Sequence, residues 1–76
     1  MNIEQTLDYI LKAIVTDSSS IKIDTNESDG LTIINVTASP EIVGQIIGRD
    51  GKIIKSIRTI LNLTFPQVKY ILNVTG

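Results

Sequence analysis

The chain has 76 residues, a net charge of −1, and neither cysteine nor histidine. So short a chain supports one core, hence one domain over residues 1–76, and the missing residue types exclude disulfides, thiolate metal sites and the commonest neutral-pH acid–base group. Metal-dependent and triad chemistry are thereby set aside, and a near-neutral balance excludes a bulk polyanion binder, which would be basic throughout. Met1–Gln5 lacks a basic start and a continuous apolar run, and no apolar stretch approaches a membrane span, so a soluble, cytoplasmic protein is expected. From Ile3 to Val15 the residues Ile3, Leu7, Ile10, Leu11, Ile14 and Val15 recur at three- and four-residue spacing and predict an amphipathic helix. Thr16–Ser20 ends it with turn formers, and Ile21–Asp24 alternates as a short half-buried strand. Asn26–Gly30 reads as a polar turn into a second strand, Leu31–Ala38, with Ile34, Val36 and Ala38 on one face and Ile33 on the other. The two strands are expected to pair antiparallel.

Ser39-Pro40-Glu41 then predicts a helix start: Ser39 as the cap, Pro40 where a missing N–H does no harm, and Glu41 near the positive end of the dipole. This helix is short, Pro40–Ile47, and Gly48 is placed to stop it. Lys52–Leu63 is a further amphipathic helix, with Ile53, Ile54, Ile57, Ile60 and Leu61 on one face and Lys52, Lys55, Ser56, Arg58, Thr59 and Asn62 on the other. After Phe65-Pro66 a last strand alternates over Gln67–Val74, with Val68, Tyr70, Leu72 and Val74 inward. The element order α-β-β-α-α-β predicts an α+β, two-layer domain in which three helices cover one face of a three-stranded sheet. Four Asn-x-Ser/Thr patterns, at Asn26, Asn35, Asn62 and Asn73, are chance in an Asn-rich intracellular chain.

The overall charge hides an asymmetry. Residues 1–41 hold seven acids against two bases, whereas residues 42–76 hold Arg49, Lys52, Lys55, Arg58 and Lys69 against one acid, Asp50. The basic part contains the two glycines Gly48 and Gly51, which interrupt two Ile-rich helical runs. A P-loop, Gly-x-x-x-x-Gly-Lys-Ser/Thr, would need glycine at position 46 and a hydroxyl at position 53, and a dinucleotide fingerprint would also need glycine at 46; Ile46 and Ile53 rule out both.

What fits is helix, Gly-x-x-Gly, helix. Ile46-Ile47-Gly48-Arg49-Asp50-Gly51-Lys52-Ile53-Ile54 resembles the Ile-Gly-x-x-Gly-x-x-Ile signature of KH domains, whose loop clamps the backbone of about four nucleotides. The element order resembles the type II arrangement over the whole chain. Ala38-Ser39-Pro40-Glu41, Val43-Gly44 and Ser56-Ile57-Arg58-Thr59 narrow the likeness to small single-domain bacterial KH proteins of the KhpA type. That resemblance implies a cytoplasmic protein without catalytic activity that binds single-stranded RNA, as a chaperone or post-transcriptional regulator. It also implies a homodimer, or a heterodimer with a larger KH-containing protein.

The residues give a mechanism. Gly48 and Gly51 allow left-handed angles and close approach of a sugar-phosphate backbone. Amides opening the Lys52 helix face phosphate, Arg49 adds a forked contact, and Lys52 and Lys55 extend the positive edge. Asp50 is expected to cap the following helix; facing the phosphate instead, it weakens binding. With only Tyr9, Phe65 and Tyr70 as aromatics, and none in the motif, base stacking on aromatics is not the expected mode. Ile42, Gly44 and Ile46 are a candidate groove or partner surface, with Ile42 expected to be exposed and Gly44 to have a steric reason.

Overall fold

Asn2 starts the first helix by a reciprocal cap. Its side-chain oxygen accepts the Gln5 N–H (2.8 Å), while its own N–H donates to Gln5 Oε1 (3.1 Å), so two amides with no helical partner are satisfied together. The computed structural model describes residues 1–76, and this helix, α1, runs Ile3–Ile14. Ile3, Leu7 and Leu11 are buried by it, whereas Ile14, at its last turn, overhangs the core and is exposed.

Strand β1 spans Lys22–Ser28 and β2 spans Leu31–Thr37, antiparallel, with Ser28 opposite Leu31. The predicted polar turn over Asn26–Gly30 is therefore too long. Only Asp29 and Gly30 turn, with φ of 51° and 80°. Positive φ at both central residues gives the two-residue hairpin whose twist matches the flanking strands, and Asp-Gly is a preferred pair for it. Asn26, Glu27 and Ser28 are strand because Ile33, Thr32 and Leu31 supply their partners.

Helix α2 occupies Pro40–Ile47, as predicted. Ser39 stands at its N-cap, and the Ser39 carbonyl accepts the Val43 N–H (2.9 Å), but its hydroxyl caps nothing. Ser20 Oγ instead accepts the Ser39 N–H (3.2 Å) and donates to Ser39 Oγ (3.4 Å), tying the start of α2 to the segment before β1. A second tie lies six residues on: Gln45 Oε1 accepts the Thr16 N–H (2.9 Å) and Gln45 Nε2 donates to Thr16 Oγ1 (3.1 Å).

Helix α3 spans Lys52–Thr64, and β3, Lys69–Thr75, returns parallel to β2, so the sheet order is β1-β2-β3. The parallel pairing is possible because α2 and α3 together make the crossover. Three helices and a three-stranded mixed sheet in the order α-β-β-α-α-β form the expected α+β architecture. Even-numbered residues of β2 and β3 face the helices: Thr32, Ile34, Val36 and Leu72 are buried there, with Tyr70 and Val74 half-buried. The opposite face carries Leu31, Ile33, Ile71 and an Asn73–Asn35 side-chain hydrogen bond (3.1 Å).

Leu7, Leu11, Ile34, Val36, Ile46 and Leu61 are the most deeply buried side chains of one continuous core. Ile42 is 4% exposed and Ile46 0%, which corrects the expectation of an exposed Ile42. Being four residues apart they share one face of α2, and that face meets the core. In α3 the apolar face is narrower than predicted. Ile54, Ile57 and Leu61 are buried, while Ile53 and Ile60, at its margin, are 39% and 44% exposed. No helix is long and apolar enough to cross a membrane.

Candidate nucleic-acid interface

The link between α2 and α3 is built from backbone conformations that glycine alone supplies easily. Gly48 ends α2 with its N–H donating to the Gly44 carbonyl (2.9 Å), at φ 76° and ψ 175°. That region of conformational space is essentially restricted to glycine. A 3₁₀ turn over Arg49–Gly51 follows; Asp50 (φ 57°, ψ 23°) and Gly51 (φ 72°, ψ 18°) are both left-handed before α3 begins. Aspartate tolerates that conformation better than most residues.

Two expectations about this loop are corrected by its hydrogen bonds. The Gly51 N–H donates to the Gly48 carbonyl (3.2 Å) and the Lys52 N–H to the Arg49 carbonyl, so these two amides close the turn rather than face outward. Asp50 caps nothing, because the N-cap position of α3 is Gly51 and carries no side-chain bond. The Asp50 carboxylate is exposed at the loop tip beside Arg49.

Arg49, Lys52, Lys55 and Arg58 are all exposed, and none is held in an ion pair; the single salt bridge in the chain is Lys12 to Asp8 (3.0 Å). Ser56 and Thr59 donate their hydroxyls to the Lys52 and Lys55 carbonyls (2.9 and 3.0 Å), leaving the cations as the outward polar groups of this side of α3. Gly44 is exposed, and a Cβ there would meet nothing within 4 Å. The chain itself therefore gives no steric reason for that glycine. Of the proposed surface Ile42, Gly44 and Ile46, only Gly44 reaches solvent; the two isoleucines are core.

The basic edge continues into an open groove of about 530 Å³ between α3 and β3, lined by Arg58 and Asn62 from the helix and Lys69, Tyr70 and Ile71 from the strand. Lys69 and Tyr70 line this groove although neither was expected near the site, because strand alternation assigns Tyr70 inward and stops there. The signal was its polar tip, since a half-buried tyrosine hydroxyl needs a partner. It donates to Asn62 Oδ1 (2.9 Å) and lies 3.3 Å from the Arg58 carbonyl. Burial raises the Tyr70 pKa above its ordinary 10.0, with the Arg58 cation pulling the other way. A raised folded-state pKa contributes stability in full below pH 10.0 that is lost as pH climbs through the folded value. Denaturant midpoints should hold up to that pH and fall beyond it, with a smaller alkaline fall in Tyr70→Phe.

A helix–Gly-x-x-Gly–helix unit, packed on a sheet whose last strand runs parallel to the central one, is the arrangement of a type II KH module. The family model described as "KhpA/KhpB, KH domain" matches residues 4–73, and the chain belongs to that family. It is similar to the RNA-binding protein KhpA of Treponema pallidum (strain Nichols), at 29% identity with 93% of this chain and 91% of the relative covered. It is likewise similar to KhpA of Borreliella burgdorferi, 35% identical over 75% of this chain and 70% of the relative, and to KhpA of Thermotoga maritima, 29% identical over 90% and 91%. No solved structure matches the chain.

Proposed function

We propose that this chain is a non-catalytic module of the cytoplasm that binds short single-stranded RNA through Gly48, Arg49, Asp50 and Gly51, with Lys52 and Lys55 extending the contact. One observation carries this reading: in the four-residue turn Gly48–Gly51 both glycines and Asp50 have positive φ, and the exposed cations Arg49 and Lys52 at that turn are held in no ion pair. The glycines let a sugar-phosphate chain approach, and Arg49 supplies a forked charge-assisted bond to a phosphate. The relatives named above are RNA-binding proteins, which supports the assignment. The groove beyond Lys55 extends the track toward Arg58, Asn62 and Lys69, whose polar edges suit unpaired bases.

Titration of a short single-stranded RNA at low salt tests it. Arg49→Asp should weaken binding about tenfold or more, since a hydrogen bond to a charged group contributes about 1.5–3 kcal/mol and reversal adds repulsion. Asp50→Asn should tighten binding about fivefold, the scale of one unit charge removed near a phosphate in water. Equal affinity of native protein and Arg49→Asp sinks the reading.

A partner is supported by a separate observation. Ile53 and Ile60, seven residues apart on α3, and Leu63, 78% exposed, form an apolar line outside the core. We propose that a second copy of this chain, or a larger KH-containing protein, covers it; two loops in one assembly then bind one RNA with gained avidity.

A further inference from the structure

We infer that Ile53, which fills an unspecified x position of the Ile-Gly-x-x-Gly-x-x-Ile signature, is the positioning residue that holds the loop in its binding conformation; this rests on the RNA reading above. The signature isoleucine Ile54 is core, and its closest approach to a Cβ placed at Gly51 would be an ordinary 3.9 Å. Ile53 meets the loop far more closely. A Cβ placed at Gly48 would lie 2.6 Å from Ile53 Cγ1 and 2.9 Å from both its Cβ and its Cδ1. Because Ile53 Cβ is itself among these atoms, the contact is fixed to the backbone of α3 and does not depend on a movable side-chain end.

β-Branching stiffens the contact further, since isoleucine in a helix has one strongly preferred χ1. Gly48 is thus held from three directions: by its N–H on the Gly44 carbonyl, by its carbonyl on the Gly51 N–H, and by Ile53 against the space where a side chain would be. That clamp sets the start of the turn whose other end opens α3. Ile53 is 39% exposed, so its packing within the chain is concentrated on the side that meets Gly48, while its exposed side joins the apolar line with Ile60 and Leu63. With the wedge removed, the loop samples other turns, and RNA must bear the cost of ordering it.

The test uses the full chain and two variants. Ile53→Ala removes Cγ1, Cγ2 and Cδ1; alanine's better helix propensity offsets part of the lost packing, so the variant should remain folded. Ile53→Val keeps Cβ and a Cγ at the contact. In Ile53→Ala the Gly51 amide should exchange with solvent about tenfold faster, with the Leu61 amide unchanged, and RNA affinity should fall about three- to tenfold. Ile53→Val should restore most of both. Unchanged Gly51 exchange overturns the inference whether or not RNA binds, and faster exchange with native RNA affinity also overturns it, leaving Ile53 a purely structural contact. Failure of the RNA reading is separately visible, because native protein and Arg49→Asp would then bind alike.

Discussion

Gly48→Ala is expected to cost about 2–6 kcal/mol of stability and to abolish RNA binding in whatever fraction still folds. The backbone term comes first: φ 76° with ψ 175° is all but closed to residues with a Cβ, and such conformations cost of order 1–3 kcal/mol each. Overlap comes second. The new methyl would sit 2.6 Å from Ile53 Cγ1, and relief requires moving either the first turn of α3 or the end of α2, an overpacking cost of about 1–3 kcal/mol. Gly51→Ala is the control that separates loop strain from overlap. It too is left-handed, but its nearest neighbour would be 3.9 Å away, so only the backbone cost of about 1–2 kcal/mol applies. Urea midpoints of the two variants should therefore differ, with Gly48→Ala the lower. Equal midpoints would mean that the Ile53 contact does not constrain the loop.

How much of this was legible in the sequence depends on which force fixed each element. Helix α2 was read to the residue because proline at its start and glycine at its end are local, conformational signals. The outer half of β1 was not, because Thr25, Asn26, Glu27 and Ser28 carry no apolar alternation; pairing with β2 across the Asp29-Gly30 turn makes them a strand. Likewise, nothing local to Gln67–Val74 says that this strand will lie parallel to the central one; that follows from the two-helix crossover.

At the site, the order of glycines, cations and flanking isoleucines was legible, and so was the family. The missing part was orientation. Periodicity at 100° per residue defines a face but not how wide a stripe the core will accept, so Ile53 and Ile60 were assigned with Ile57 and Leu61 although the structure leaves them at the margin. A helix of eight residues offers still less, and Ile42 was placed outside when its partner at 46 commits both to the core. The role expected of Asp50 failed for a related reason. Which of Asp50 and Gly51 stands at the N-cap is set by the left-handed turn, and the sequence leaves that open.

The corrected orientation exchanges two isoleucines: Ile46, expected on a groove or partner surface, is core, and Ile60, expected on the apolar face of α3, is exposed. Ile46→Ala should destabilise by about 2–5 kcal/mol, the range for removing a fully buried aliphatic side chain and leaving a cavity. Against a total of roughly 4–11 kcal/mol for a chain of this size, that is about half of the fold's stability. Its effect on any partner would be indirect, through loss of folded protein. Ile60→Lys should shift the urea midpoint very little, because its side chain is 44% exposed and lysine is a good helix former. Yet it places a charge on the apolar line with Ile53 and Leu63, where a second copy would have to desolvate it. Sedimentation velocity should then show native protein associating with rising concentration and Ile60→Lys remaining monomeric, with both equally folded by circular dichroism. A monomeric native protein would remove the α3 line as a self-association surface. Strong association by Ile60→Lys would move that surface elsewhere, and the open sheet face around Ile33 and Ile71 would be the next apolar region to test.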